Sequence, residues 1–88
     1  MYKIEETKRV AKQYKNYRGL DSLWKKLKEL REIIKTNPYQ YPPAYEIMTG
    51  DLAGVVSRRI NHEHRLVYTV DEEKKVVLIH SVWSHYKL

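Results

Sequence analysis

The spacing of apolar residues changes once along the chain, from a helical period to a period of two, near Val55. Residues 1–4 predict a short first strand. Behind Thr7, whose hydroxyl can cap a helix, Val10, Tyr14 and Tyr17 fall on one side, and Gly19 follows as a stop. The clearest element is a second helix. Asp21 is expected as its N-cap, and Leu23, Trp24, Leu27, Leu30 and Ile34 recur as a core stripe, with Lys25, Lys26, Lys28 and Arg31 outside it. Asn37-Pro38 ends the pattern, because the residue before a proline is driven out of helical geometry. Residues 39–45, Tyr-Gln-Tyr-Pro-Pro-Ala-Tyr, are too proline-rich for a helix or a central strand and predict an ordered loop. A turn-rich link from Thr49 to Gly54 follows. Residues 55–60, 65–70 and 75–83 then alternate and are rich in Val, Ile and Tyr, with short connections at 61–64 and 71–74. The pattern predicts two hairpins in an antiparallel meander, hence an α+β fold with helices on one sheet face and the other face free to bind.

At 88 residues the chain predicts one domain over 1–88, without repeat or linker. Such a chain buries only ~60% of the surface that its unfolded form exposes. It has no cysteine, so disulfides and thiolate metal sites are excluded. No stretch approaches the ~20 apolar residues needed to span a bilayer. The first six residues lack the apolar run of a secretion signal, and a cytoplasmic protein is expected. The formal charge of +6 is unevenly placed: residues 1–35 hold eleven Lys/Arg against five Asp/Glu, whereas residues 36–88 hold six of each. A one-sided basic surface attracts polyanions, with nucleic acid the leading candidate and a merely solubilising helix face the alternative.

The sheet half contains the residues able to do chemistry: Glu46, Arg58, Arg59, Arg65, His85 and Tyr86. In the strand at 65–70, Leu66, Tyr68 and Val70 form the apolar face, which leaves Arg65, Val67 and Thr69 on the open one. Arg59 alternates with Ser57 and Val55. If it shares the open face with Arg65, the two pair across the hairpin, and that requires an odd-numbered loop such as Asn61-His62-Glu63. Two guanidiniums on one face suit a phosphate, since each offers a planar fork of donors, and both can stabilise added charge in a phosphoryl transition state. The bland alternative is that Arg58 and Arg59 form salt bridges to Glu63 or Asp71. Metal-free RNA cleavage needs a base for the 2′-hydroxyl, cations for the phosphate and an acid for the leaving 5′-oxygen. Glu46 is the candidate base, His85 the candidate acid and Tyr86 a residue able to stack on a base or orient the phosphate. His62 and His64 have a spacing that invites a metal, but no third or fourth ligand stands at a suitable distance in sequence. Glycine-rich phosphate loops and a serine elbow are absent.

The run from Gly50 to Tyr68, with its core Ser57-Arg58-Arg59-Ile60, three intervening residues, then His64-Arg65-Leu66-Val67-Tyr68, resembles the Txe/YoeB branch of the RelE toxin superfamily. The ending Trp83-Ser84-His85-Tyr86 is similar to that family's terminal His-Tyr. The resemblance implies a RelE-like fold and a ribosome-dependent messenger-RNA endoribonuclease that needs no metal or cofactor and leaves a 2′,3′-cyclic phosphate and a 5′-hydroxyl. By position it implies Glu46 as general base, His85 as general acid, Arg65 as transition-state stabiliser, and Arg59 and Tyr86 as substrate contacts; Arg58, beside Arg59, is a further candidate phosphate contact from its chemistry alone. It further implies an acidic YefM/Axe-type antitoxin, binding of operator DNA through the antitoxin complex, and homodimerisation. Lys8, Lys12, Lys15, Lys25, Lys28 and Arg31 would then meet the RNA of the 70S ribosome. The chain departs from the family in carrying Thr49 where a lysine is common, and in continuing past Tyr86 with Lys87-Leu88. Two readings compete: a binding module without chemistry, and a gyrase-directed toxin of the same fold, which would lack the acid–base set.

Overall fold

The computed structural model describes residues 1–52 and 54–84. A first strand, β1 (Lys3–Glu6), leads into helix α1 (Lys8–Gln13), which continues as a tighter 3-10 turn over Tyr14–Tyr17. The Thr7 hydroxyl accepts from the Val10 N–H, as expected of a cap, and Gly19 takes the left-handed conformation (φ 79°) that ends the segment. Helix α2 (Asp21–Thr36) ends at Asn37. Its start differs from the sequence reading: Leu20 occupies the cap position without a side-chain bond, and Asp21 is the first helical residue. There its charge faces the positive end of the helix dipole, a milder contribution than a capping bond.

The sheet has five strands in the order β1-β5-β4-β3-β2, with β2 at Glu46–Ile47, β3 at Val56–Arg59, β4 at Arg65–Asp71 and β5 at Val76–Ser81. β5, β4, β3 and β2 are antiparallel neighbours, while β1 adds in parallel to β5, so the sheet is mixed rather than a pure meander. The spacing of apolar residues gives no sign of β2. Two residues following a proline run carry no alternation to read, and the strand exists through its pairing of Glu46 with Ser57 and Ile47 with Val56.

The helices cover one face. Val10, Tyr17, Leu27, Leu30 and Ile34 pack with Val56, Leu66, Tyr68, Val77 and Ile79 in one buried cluster. A fully buried side chain of this size contributes about 1.5–3 kcal/mol, so the helical stripe is the main bond between the two layers. Tyr17 closes the cluster at the end of β5: its hydroxyl donates to the Val82 carbonyl, and burial pushes its pKa up to about 12. Gln13 ties α1 to the same place by accepting from the Val82 N–H at 2.7 Å. No helix among the described residues is long and apolar enough to cross a membrane.

Candidate functional site

Side-chain parity assigns each residue of β3 to a face. Val56 and Ile60 are buried in the core cluster, and Arg58, between them in parity, faces the same way. Ser57 and Arg59 face the side away from the helices, where Ser57 is buried and Arg59 exposed. Ser57 pairs with Glu46 on one flank and Val67 on the other, and Arg59 pairs directly with Arg65. The predicted register therefore holds. The Ile60 and Asn61 N–H groups both bond the His64 carbonyl, which closes a hairpin around Asn61, His62 and Glu63. Asn61 Oδ1 secures that loop by accepting from the Glu63 and His64 N–H groups at 2.8 and 2.7 Å.

These pairings build a shallow cleft of about 210 Å³ lined by Ala44, Tyr45, Glu46, Ser57, Arg59 and Arg65. Arg65 is half-buried and donates from Nη1 to Ser57 Oγ at 3.3 Å, whereas Arg59 and Glu46 are exposed. Among the described residues no carboxylate lies within salt-bridge distance of Arg59 or Arg65. Two like charges facing each other across an antiparallel pair are unfavourable without a counterion. The cleft thus presents two guanidinium forks, unneutralised among the described residues, beside one carboxylate, an arrangement able to receive an anion. The larger hollow of about 460 Å³ between Tyr14, Tyr17, Arg18 and Trp24 lies at the helical edge and contains none of the predicted acid–base residues.

Arg58 corrects the sequence reading. It is 0% exposed and cannot meet a phosphate. Its Nε donates to the Tyr68 hydroxyl at 2.9 Å, Nη1 to the Pro43 carbonyl at 2.6 Å, and Nη2 to the Pro38 and Gln40 carbonyls at 3.1 and 2.8 Å. Its guanidinium carbon also lies 4.7 Å from the centre of the Tyr45 ring. A buried charge is tolerable only when its donors are satisfied, and here the carbonyls of the proline-rich loop satisfy them. Arg58 consequently fastens residues 38–45, the segment that delivers Glu46. Its parity with Val56 and Ile60 was the available signal. The open face also differs from the simple expectation at Val67, which is fully buried.

His64 has a packing role. Its ring stacks on Trp83 with centroids 3.8 Å apart, and Nδ1 accepts from the Ser84 N–H at 2.7 Å. His62 is exposed, and among the described residues no group of three or more His, Asp or Glu side chains gathers as a metal site. The Ser84 carbonyl accepts from the Arg65 N–H at 3.3 Å. His85 and Tyr86, and the Lys87-Leu88 extension, lie outside the described residues. Thr49 is exposed after β2 and supplies no cation. Ser57 and Tyr45 are cleft residues that sequence reasoning did not single out; Ser57 shares parity with Arg59. On the helices, Lys8, Lys12, Lys15, Lys25 and Lys28 are exposed, while Arg31 is half-buried and lies 3.5 Å from Glu6.

Comparison with known proteins identifies relatives of the chain and of its fold. A family model described as "YoeB-like toxin of bacterial type II toxin-antitoxin system" matches residues 6–86. A Synechocystis protein named Toxin YoeB is 38% identical over 65 residues, covering 74% of this chain and 73% of that protein. The fold is similar to the toxin in a heterotetrameric YoeB-YefM toxin-antitoxin complex from Staphylococcus aureus (TM-score 0.79, 36% identity, 98% of this chain and 99% of that one). It is also similar to a YoeB dimer from the same organism (TM-score 0.79, 37% identity, 97% and 98% covered).

Proposed function

Because this chain belongs to the YoeB-like toxin family of bacterial type II toxin–antitoxin systems, we propose that it is a metal-independent endoribonuclease that cuts messenger RNA in the A site of the 70S ribosome and so stops translation. The Glu46 carboxylate takes the proton of a 2′-hydroxyl, and that oxygen attacks the adjacent phosphorus. Arg65 stabilises the charge that grows on the phosphoryl oxygens, while Arg59 holds the phosphate in place. As the bond to the 5′-oxygen breaks, His85 protonates it, leaving a 2′,3′-cyclic phosphate on one fragment and a 5′-hydroxyl on the other. Tyr86 helps hold the substrate.

The observation that carries this reading is the meeting of Glu46, Arg59 and Arg65 in one open cleft with, among the described residues, no carboxylate on either arginine. Assignment of the acid to His85 is supported by its place in the chain directly after Ser84, whose carbonyl receives the Arg65 N–H. A gyrase-directed toxin or an inert binding module would need neither Glu46 nor His85.

The remaining roles follow from charge. Lys8, Lys12, Lys15, Lys25 and Lys28, with Arg31 as a weaker member, contact ribosomal RNA through its phosphates, an interaction that weakens as salt rises. A cognate acidic antitoxin of the YefM/Axe type covers the basic cleft, the complex binds its own operator through the antitoxin, and the toxin pairs with a second copy of itself. The S. aureus relatives seen with YefM and as a dimer support the antitoxin partner and the pairing. A ribosomal substrate places the protein in the cytoplasm. The test is to translate a message in vitro with purified protein and map the new 5′ ends. Glu46→Ala and His85→Ala are each expected to lower the cutting rate by about 10²–10⁴. Undiminished cutting by both variants contradicts the mechanism, and an inactive parent favours the binding module.

A further inference from the structure

Ser84, the residue directly before His85, has a left-handed backbone (φ 58°). A side chain makes that conformation costly, and it persists only where the surroundings fix it. β5 ends at Ser81, so the sheet ladder no longer directs the chain here. Two other bonds do. The Ser84 carbonyl accepts from the Arg65 N–H at 3.3 Å, and its N–H donates to His64 Nδ1 at 2.7 Å. His64 is itself held fast. It is 5% exposed, and its ring stacks on Trp83, whose ring also meets Tyr17 with centroids 5.4 Å apart. Packing alone does not call for a histidine, since a phenylalanine ring would fill the stack. The imidazole adds an acceptor at Nδ1. A backbone N–H can only donate, so that nitrogen carries no proton. The ring's proton then sits on Nε2, 3.8 Å from a Glu63 carboxylate oxygen.

We propose that His64 is a positioning residue for the general acid: by accepting from Ser84 it holds the left-handed turn from which the chain enters His85. The inference rests on the nuclease reading and adds a residue to it. His64 is not among the residues that line the cleft, and it acts through the backbone. Arg65 shares the task from the other polar group of Ser84 while its guanidinium lines the cleft. Two consecutive residues thereby tie the segment that leads to the acid to the one that holds the phosphate. Misplacing a catalytic group by about 1 Å can cost on the order of 10²-fold in rate, so one lost hydrogen bond is felt at the chemical step. Capture of the message does not use this bond.

Two variants separate the ring from the acceptor. His64→Phe keeps the stack on Trp83 and loses the acceptor, whereas His64→Asn keeps an acceptor bonded to Cγ and loses the ring. On ribosomes programmed with a defined message, His64→Phe is expected to lower the maximal rate roughly 10- to 100-fold at an unchanged half-saturating concentration, and His64→Asn to retain most of it. A residue that served packing alone would give the opposite order. A second message carries sulfur in place of the leaving 5′-oxygen at the cut. A thiolate departs without a proton, so the deficit of His64→Phe should vanish on it, as should that of His85→Ala, while that of Glu46→Ala persists. Nitrogen NMR of the parent should show His64 protonated at Nε2 and bare at Nδ1. A proton on Nδ1 overturns the proposal even if His64→Phe does not fold. A folded His64→Phe that cuts the first message like the parent, or that is as impaired on the second as on the first, overturns it too and leaves the nuclease standing. A parent that cuts neither message removes the nuclease reading and the proposal with it.

Discussion

Arg58 and Arg59 are adjacent in sequence and chemically identical, yet one is sealed in the protein and the other stands in water. Arg58 spends its donors on three loop carbonyls and a tyrosine hydroxyl. Arg59 faces Arg65 across the ladder, and among the described residues neither is bridged by a carboxylate. The difference is one step along a pleated strand, which turns a side chain from one sheet face to the other. It follows that a charge's role is set by whether the fold has already spent its donors. On the helix side the guanidinium is a structural clamp, and on the open side the pair remains available to a substrate.

That contrast predicts two variants with opposite signatures. The largest effect is expected from Arg65→Ala, which removes a donor from the proposed transition state: cleavage should fall by about 10²–10³ while the melting temperature changes little. Loss of stability in step with activity would place Arg65 on the structural side. Arg58→Leu should do the reverse. It strands the Gln40 and Pro43 carbonyls, leaving Pro38's only the Tyr68 hydroxyl, and should cost about 3 kcal/mol in chemical denaturation. Arg58→Lys should rescue little, since a point charge cannot reproduce the guanidinium fork. A fully stable Arg58→Leu protein would remove the clamp from the account.

Smaller effects sharpen the boundary between the two faces. Tyr17 has its pKa raised to about 12 by burial. The unfolded chain loses this proton near pH 10 and the folded one later, so the contribution is complete below pH 10 and is lost as pH rises towards 12. Tyr17→Phe should remove that decline and cost about 1 kcal/mol at neutral pH through the missing bond to the Val82 carbonyl. An unchanged alkaline limb in the variant's melting curve would refute the assignment. The slightest change is expected at Lys25 or Lys28. Replacement by glutamine should shift stability by no more than about 0.5 kcal/mol, yet flatten the dependence of ribosome binding on salt by roughly one unit of log–log slope for each phosphate that is no longer neutralised. A slope that stays as steep would take these lysines out of the interface.

Much of this was legible because it depends on period alone. The α2 stripe, the β3–β4–β5 ladder and the facing of Arg59 and Arg65 all follow from helical or alternating spacing and an odd loop. Three features were hidden for physical reasons. Glu46 and Ile47 form a strand only because Ser57 and Val56 offer backbone partners, so no local propensity marks them. Asp21 has the chemistry of a cap, but the chain enters α2 with Leu20 in that place. Charge alone groups Arg58 with Arg59, because charge suggests exposure. Only its parity with Val56 and Ile60, together with a proline-rich loop whose carbonyls lack sheet partners, shows where the guanidinium goes. At the site, Glu46, Arg59 and Arg65 converge as expected, whereas the roles given to His85 and Tyr86 come from residue chemistry and family position.

The central claim is that the cleft cuts RNA by drawing in the substrate's own 2′-hydroxyl. The direct measurement is ribosome-dependent cleavage of a message carrying a single 2′-deoxy nucleotide at the cut position, beside the all-ribose message. The account predicts that the ribose message is cut to a 2′,3′-cyclic phosphate end and that the deoxy message survives at that position. Cutting of both messages at the same rate would contradict it.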